Sequence, residues 1–169
     1  MVEFTSLGDK MRIMEGRPWV FKGSLFLIED FDRLSPPSSF TFEKGRLWVR
    51  MVDLPLACMN QTKGQGIGSM VGLVEALDTE KDGISWGEFL HVKIIIDLTK
   101  PLAWGRMLKL QGKSIWIAFQ YECLPKFCFH CGIIIHSKTG CPNRSKIHHH
   151  DSRESNRVWT MVAGPFAHV

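Results

Sequence analysis

Four residues near the C-terminal third carry the chemistry of this chain: Cys128, Cys131, His136 and Cys141, spaced C-x2-C-x4-H-x4-C. Thiolate and imidazole are donors that zinc takes, and four of them complete a tetrahedron. The two-residue gap lets the first pair of thiolates grip one ion from a tight turn, which Gly132 eases. The four-residue steps bring His136 and Cys141 round to close the shell. A shell filled by protein leaves no position for water, so the expected cofactor is one structural Zn2+ and not a catalytic metal. So short a segment holds no core of its own, and metal binding is expected to supply its folding energy. His130, inside the first gap, is expected to point away from the ion. Cys123 is read as a small, semi-buried side chain and Cys58 as packing.

A zinc knuckle of this kind offers a stacking surface with positive charge nearby, which suits single-stranded nucleic acid. Phe129, between the first two ligands, is placed to face outward as a platform, and Ile134 to complete its apolar surface. Lys126, Lys138, Arg144 and Lys146 flank the site as candidate phosphate contacts. The charge distribution agrees. Residues 1–121 hold 15 Lys/Arg against 14 Asp/Glu, whereas residues 122–169 hold 6 against 3. Five of the seven histidines also lie between His130 and His150.

Five cysteines is an odd count for a secreted disulfide framework, and three of them bunched with a histidine point to metal in a reducing compartment. The first ten residues carry Glu3 and Asp9 and have no apolar core, unlike a secretory signal. The longest apolar runs, such as Val92 to Ile96, fall far short of the roughly 20 residues that cross a bilayer. The expectation is an intracellular protein of nucleus or cytoplasm, with no membrane partner.

Two other motifs give way on inspection. Asp78-Thr-Glu80-Lys-Asp82-Gly83 resembles a calcium loop, but its closing acid, Glu88, is one residue short, and a solvated turn is the better reading. Gly64-Gln-Gly66-Ile-Gly68 lacks the spacing and the lysine of a phosphate loop, and is read as helix packing. No serine has a nucleophile context and the carboxylates are scattered. The chain is therefore expected not to be an enzyme and to take no small-molecule substrate.

The elements that must position the knuckle follow from periodicity. Lys10 to Gly16 reads as one or two helical turns, and Trp19 to Ile28 as a turn at Lys22-Gly23 leading into a strand. Ser35-Pro36-Pro37-Ser38-Ser39 has the composition of a linker. Arg46 to Val52 alternates as a half-buried strand, Asn60 to Gly72 is a glycine-weakened helix, and Leu73 to Leu77 is a short strand. Trp86 to Leu98 is the strongest strand, Pro101 to Leu110 a short helix or irregular crossing, and Ser114 to Tyr121 a final strand. Strand, helix, strand, strand, weak helix, strand is the ferredoxin-like, or RNA-recognition-motif-like, succession. The expected organisation is α+β: a truncated N-terminal remnant over 1–34, a linker over 35–45, a ferredoxin-like unit over 46–125, the zinc knuckle over 126–143, and a disordered basic, histidine-containing tail over 144–169.

The run Tyr121-Glu122-Cys123-Leu124-Pro125-Lys126-Phe127-Cys128 into the knuckle resembles a family of plant proteins derived from non-LTR retrotransposons. Similar segments are Gly16-Arg17-Pro18-Trp19-Val20-Phe21, Leu47-Trp48-Val49-Arg50 with Leu54-Pro55-Leu56, and Ile96-Asp97-Leu98-Thr99-Lys100-Pro101-Leu102. Members carry a domain of unknown function followed by a CCHC-type knuckle. The resemblance implies zinc and nucleic-acid binding in a protein of gag-like origin. Three departures stand out: a shorter stretch before the Gly-x-Pro-Trp segment, Ile135 where the family has glycine, and Cys123 where it has a basic residue. Ile135 is expected to strain the knuckle. The function expected is zinc-dependent binding of single-stranded RNA or DNA with low sequence specificity. The alternatives are a protein–protein interaction module using the knuckle, or an inactive decayed copy.

Overall fold

The computed structural model describes residues 2–31, 34–80, 82–136 and 140–141. First come helix α1 (Leu7–Glu15) and a hairpin of β1 (Trp19–Phe21) and β2 (Ser24–Phe26). A 3-10 turn at Pro37–Ser39 follows. The chain then runs through β3 (Lys44–Val52), a second 3-10 turn at Leu56–Cys58, α2 (Gln61–Gly68), β4 (Leu73–Asp78), β5 (Phe89–Asp97), β6 (Gly105–Leu110) and β7 (Lys113–Tyr121). The class is mixed α+β, with antiparallel sheets, as the alternating and helical segments of the sequence imply.

The larger sheet has the order β4-β5-β3-β7-β6, so the two most strongly alternating segments sit side by side at its centre. Leu47, Val49 and Met51 of β3 face Ile94, Val92 and Leu90 of β5 in register, and all six are fully buried. Phe119 of β7 stands opposite Met51 and closes that layer. Period-2 alternation puts one face of each strand into the core, and burial of that apolar face is what fixes the register.

One expected element is corrected. The stretch read as a short helix or crossing over 101–110 contains β6, which pairs with β7 from Gly105↔Ala118 to Leu110↔Lys113. The turn between them sets both Gln111 (φ 48°) and Gly112 (φ 79°) in the left-handed region, the demand of a two-residue type I′ hairpin. Lys22 and Gly23 at the β1–β2 turn do the same. No second helix follows β5 among the described residues, and other segments cover that half of the core face. Leu25, Leu27, Ala103, Leu124, Phe127, Ile134 and Ile135 all pack against the buried cluster.

α2 explains the glycine-rich run. Asn60 caps it, accepting the Lys63 N–H at 3.0 Å. A Cβ on Gly64 would lie 2.4 Å from Leu77 and 2.5 Å from Leu90, and one on Gly68 2.6 Å from Val74. The glycines let the helix backbone approach the sheet, as the packing interpretation of the run expects. The calcium-like stretch likewise holds a turn: Asp82 accepts the Ile84 N–H at 3.0 Å, and Gly83 takes φ 76°.

The opposite face of the sheet is polar and ionic. In β4, Val74 stands opposite Ile94 and Ala76 opposite Lys93, leaving Glu75 as an extra, bulged residue. Arg46 Nε donates to Glu75 at 2.9 Å and Arg46 Nη1 to Glu29 at 3.0 Å, tying the N-terminal segment to the sheet. Lys93 donates to the Glu15 carbonyl at the end of α1 (3.0 Å). Farther along, Trp48 stacks on His91 at 4.2 Å, and Arg50 Nε bonds Glu122 at 2.6 Å. His91 Nε2 lies 3.2 Å from Glu122 but off the line of a hydrogen bond.

Candidate metal centre

The chain leaves β7 through Glu122, whose N–H bonds the Trp48 carbonyl (2.9 Å), and Lys126, whose N–H bonds the Gly23 carbonyl in the β1–β2 turn (2.7 Å). Those anchors fix where the knuckle starts. The loop then folds on itself: Gly132 N–H returns to the Cys128 carbonyl (2.7 Å) and Cys128 N–H to the Ile133 carbonyl (2.8 Å). Gly132 takes φ 74°, the left-handed conformation that glycine adopts without steric penalty.

The closed loop gathers the four expected ligands. One donor atom from each of Cys128, Cys131, His136 and Cys141 lies within 4.8 Å of every other. Cys131 Sγ and His136 Nε2 are 3.5 Å apart. Two such donors on one tetrahedral zinc, at usual bond lengths, stand about 3.6 Å apart, so the spacing fits the ion. His130 is exposed and adds no atom to the cluster.

The thiols are tuned unequally. Burial pushes Cys128 up, but hydrogen bonds from the His136 side chain and the His130 and Cys131 backbone outweigh it and bring the thiol down to about 6. Cys131 is pushed up to about 11, by burial first and then by the neighbouring Cys128 and Cys141 sulfurs. Protein alone favours one thiolate and resists the next. A dication removes that resistance, because it is the charge the remaining sulfur must face.

The other expected site residues separate by environment. Phe129 is 66% exposed, with its ring 4.9 Å from the half-buried Phe127. Lys126 is exposed beside the Gly23 turn. Ile134 is half-buried and packs against the sheet core. Lys138, Arg144 and Lys146, with the tail, lie outside the described residues. Cys58 is fully buried as expected, but Cys123 is not semi-buried: it is exposed, with φ 48° in a turn after β7.

Ile135 corrects a second expectation. It lies outside the left-handed region, so the missing glycine leaves no backbone strain. Its side chain packs on the core, and its N–H donates to the Leu98 carbonyl at 2.9 Å. Leu102 N–H donates to the Gly132 carbonyl at 3.0 Å. Leu98 and Leu102 thus form a seat for the knuckle, which spacing of the ligands alone does not reveal. The apolar run Ile133-Ile134-Ile135, inside a metal loop, is the signal that points to it.

Comparison with known proteins agrees with this geometry. A family model described as a zinc knuckle matches residues 96–143, a span that begins in β5 and takes in the seat as well as the ligands. The donor set is consistent with a single structural zinc. An uncharacterized protein of Arabidopsis thaliana is 23% identical over 140 residues, covering 80% of this chain and 43% of that protein. The chain therefore spans less than half the length of that relative. No solved structure matches. Among the described residues no helix is long and apolar enough to cross a membrane.

Proposed function

We propose that this protein binds single-stranded nucleic acid through a zinc-closed knuckle, with low sequence specificity, and that binding rather than catalysis is its activity. The observation that carries the reading is an exposed aromatic ring, Phe129, projecting from between the first two ligands of a four-donor cluster. Stacking on one ring contributes on the order of 1–3 kcal/mol per base and tolerates any base. Lys126 supplies a phosphate contact beside it, and Lys138, Arg144 and Lys146 follow in the sequence. Ile134, half-buried against the sheet core, completes the apolar surface of the knuckle. A metal held by four protein ligands keeps no position for a reacting water, which favours a structural role.

The gag-like, retrotransposon-derived setting belongs to the same proposal. It draws support from the resemblance of residues 11–143 and from the plant relative. The succession β3, α2, β4, β5, β7, with β3 and β5 paired at the centre, supports a ferredoxin-like reading of the sheet in which β6 stands in place of the second helix. The test is direct. Purified protein should contain one zinc per chain and shift the fluorescence anisotropy of labelled single strands, more weakly as salt rises. Chelation, Cys128→Ser or Cys141→Ser should abolish the shift. Unchanged binding after either substitution removes the knuckle from the account.

A further inference from the structure

The β6–β7 hairpin differs from the rest of the sheet in geometry and in composition. β7 pairs with β3 only over Ala118–Tyr121, while its pairing with β6 runs over Lys113–Ala118. The half nearer the Gln111–Gly112 turn is thus a two-stranded ribbon that extends past the end of β3. From Leu98 to Tyr121 the chain holds Lys100, Arg106, Lys109 and Lys113 and no carboxylate. Asp97 holds Lys100 at 3.0 Å. Arg106, Lys109 and Lys113 are exposed, and none forms an ion pair with a described carboxylate.

The same ribbon carries large apolar groups in water. Met107 and Trp116 are cross-strand partners, and alternation puts them on the face away from the core. Met107 is 56% exposed, and Trp116 and Trp104 are 46% exposed each. The two indoles meet edge to face at 6.5 Å. Trp116 lies against Gly105, where a Cβ would fall 2.2 Å from the ring, so the glycine is what allows the indole to settle there. Exposed aromatics alone would suit many partners. Three cations with no acid among them select a polyanion, and indoles select one that offers unpaired base faces.

We propose that the β6–β7 hairpin is a second contact surface for single-stranded nucleic acid, with Trp104 and Trp116 taking bases, Lys109 taking phosphate on the Trp116 face, and Arg106 and Lys113, which alternation sets on the ribbon's other face, taking phosphates as the strand passes round its free edge and tip. The proposal rests on the knuckle's being a single-strand binder and extends the same strand onto the sheet. The two surfaces are joined through a short connection. Leu102, whose N–H bonds Gly132 in the knuckle loop, precedes β6 by a few residues. Two weak contacts fixed on one body raise each other's effective concentration, and so give useful affinity without base-specific bonds.

The experiment is anisotropy titration of labelled single strands with the full zinc-loaded chain, three hairpin variants and Cys128→Ser. Trp116→Ala should weaken binding about ten-fold, and Trp116→Phe should restore most of it. The double variant Lys109→Gln/Lys113→Gln, at exposed positions that leave the fold intact, should lower the salt slope by about 1.4, two phosphate contacts' worth. Thermal melts confirm that each variant is folded, and the double variant decides the matter if Trp116→Ala is not. If hairpin variants bind as the parent does while Cys128→Ser does not bind, the hairpin proposal falls and the knuckle reading stands. If the parent chain binds no single strand, both fall together.

Discussion

Stripping zinc from the knuckle should weaken the sheet as well as the loop that holds the ion. The knuckle is seated on the sheet by two backbone hydrogen bonds, Leu102 to Gly132 and Ile135 to Leu98. Each contributes about 1 kcal/mol net. Phe127, Ile134 and Ile135 are half-buried against the core, and at half the value of full burial each contributes about 1 kcal/mol more. The sum is about 5 kcal/mol, an upper figure because the unfolded chain already hides some of that surface. For a domain of this size that corresponds to a fall in Tm on the order of 15 °C. The assay is a thermal melt followed by tryptophan fluorescence, with and without chelator, and metal content measured on the same samples. Trp48 and Trp116 report on the sheet, and residues 122–143 contain no tryptophan. A melt that stays in place after the metal has gone would show that the knuckle hangs free, and would refute the seat.

Three further outcomes are expected. Gly64→Ala should destabilise by about 2 kcal/mol, because its Cβ meets Leu77 and Leu90, whereas Gly66→Ala, with open space around it, should stabilise by up to about 1 kcal/mol; urea unfolding of the pair checks both. Asp97 is held at about 2, first by the Thr99 hydroxyl and then by Lys100 and the Thr99 N–H, so its carboxyl resonance should titrate far below the ordinary 3.8. Its folded value is depressed, so its contribution to stability is present above about pH 4, is lost as pH falls toward about 2, and disappears in Asp97→Asn. Zinc affinity should fall between about pH 8 and about pH 6, since Cys131, pushed up to about 11, must shed its proton to bind; competition against a coloured chelator reads this directly.

Much of this was legible in the residues. The ligand set needed only spacing, and the two central strands needed only alternation, because a half-buried strand writes its period into the sequence. β6 was not legible, for a reason its turn makes plain. Lys22-Gly23 and Gln111-Gly112 build the same left-handed pair, yet only the first was expected to be a turn. The difference lay upstream, where Pro101 together with Gly105 broke the strand pattern leading into the second turn. The seat of the knuckle was hidden in a different way. Ile134 and Ile135 are apolar residues in a loop, and whether they meet a ligand or a core depends on where Leu98 and Leu102 lie, which is a tertiary fact. The ionic face, with Arg46 between Glu29 and Glu75, likewise joins segments far apart in sequence.

The bulge at Glu75 governs where the sheet stops. β4 is an outermost strand, and an unbroken outer strand invites another chain to add to it through its free main-chain groups. The inserted residue breaks the even row of those groups, bends the margin, and leaves an incoming strand no matching ladder. A single extra position, kept in place by its bond to Arg46, thereby guards this margin against fibril-like growth.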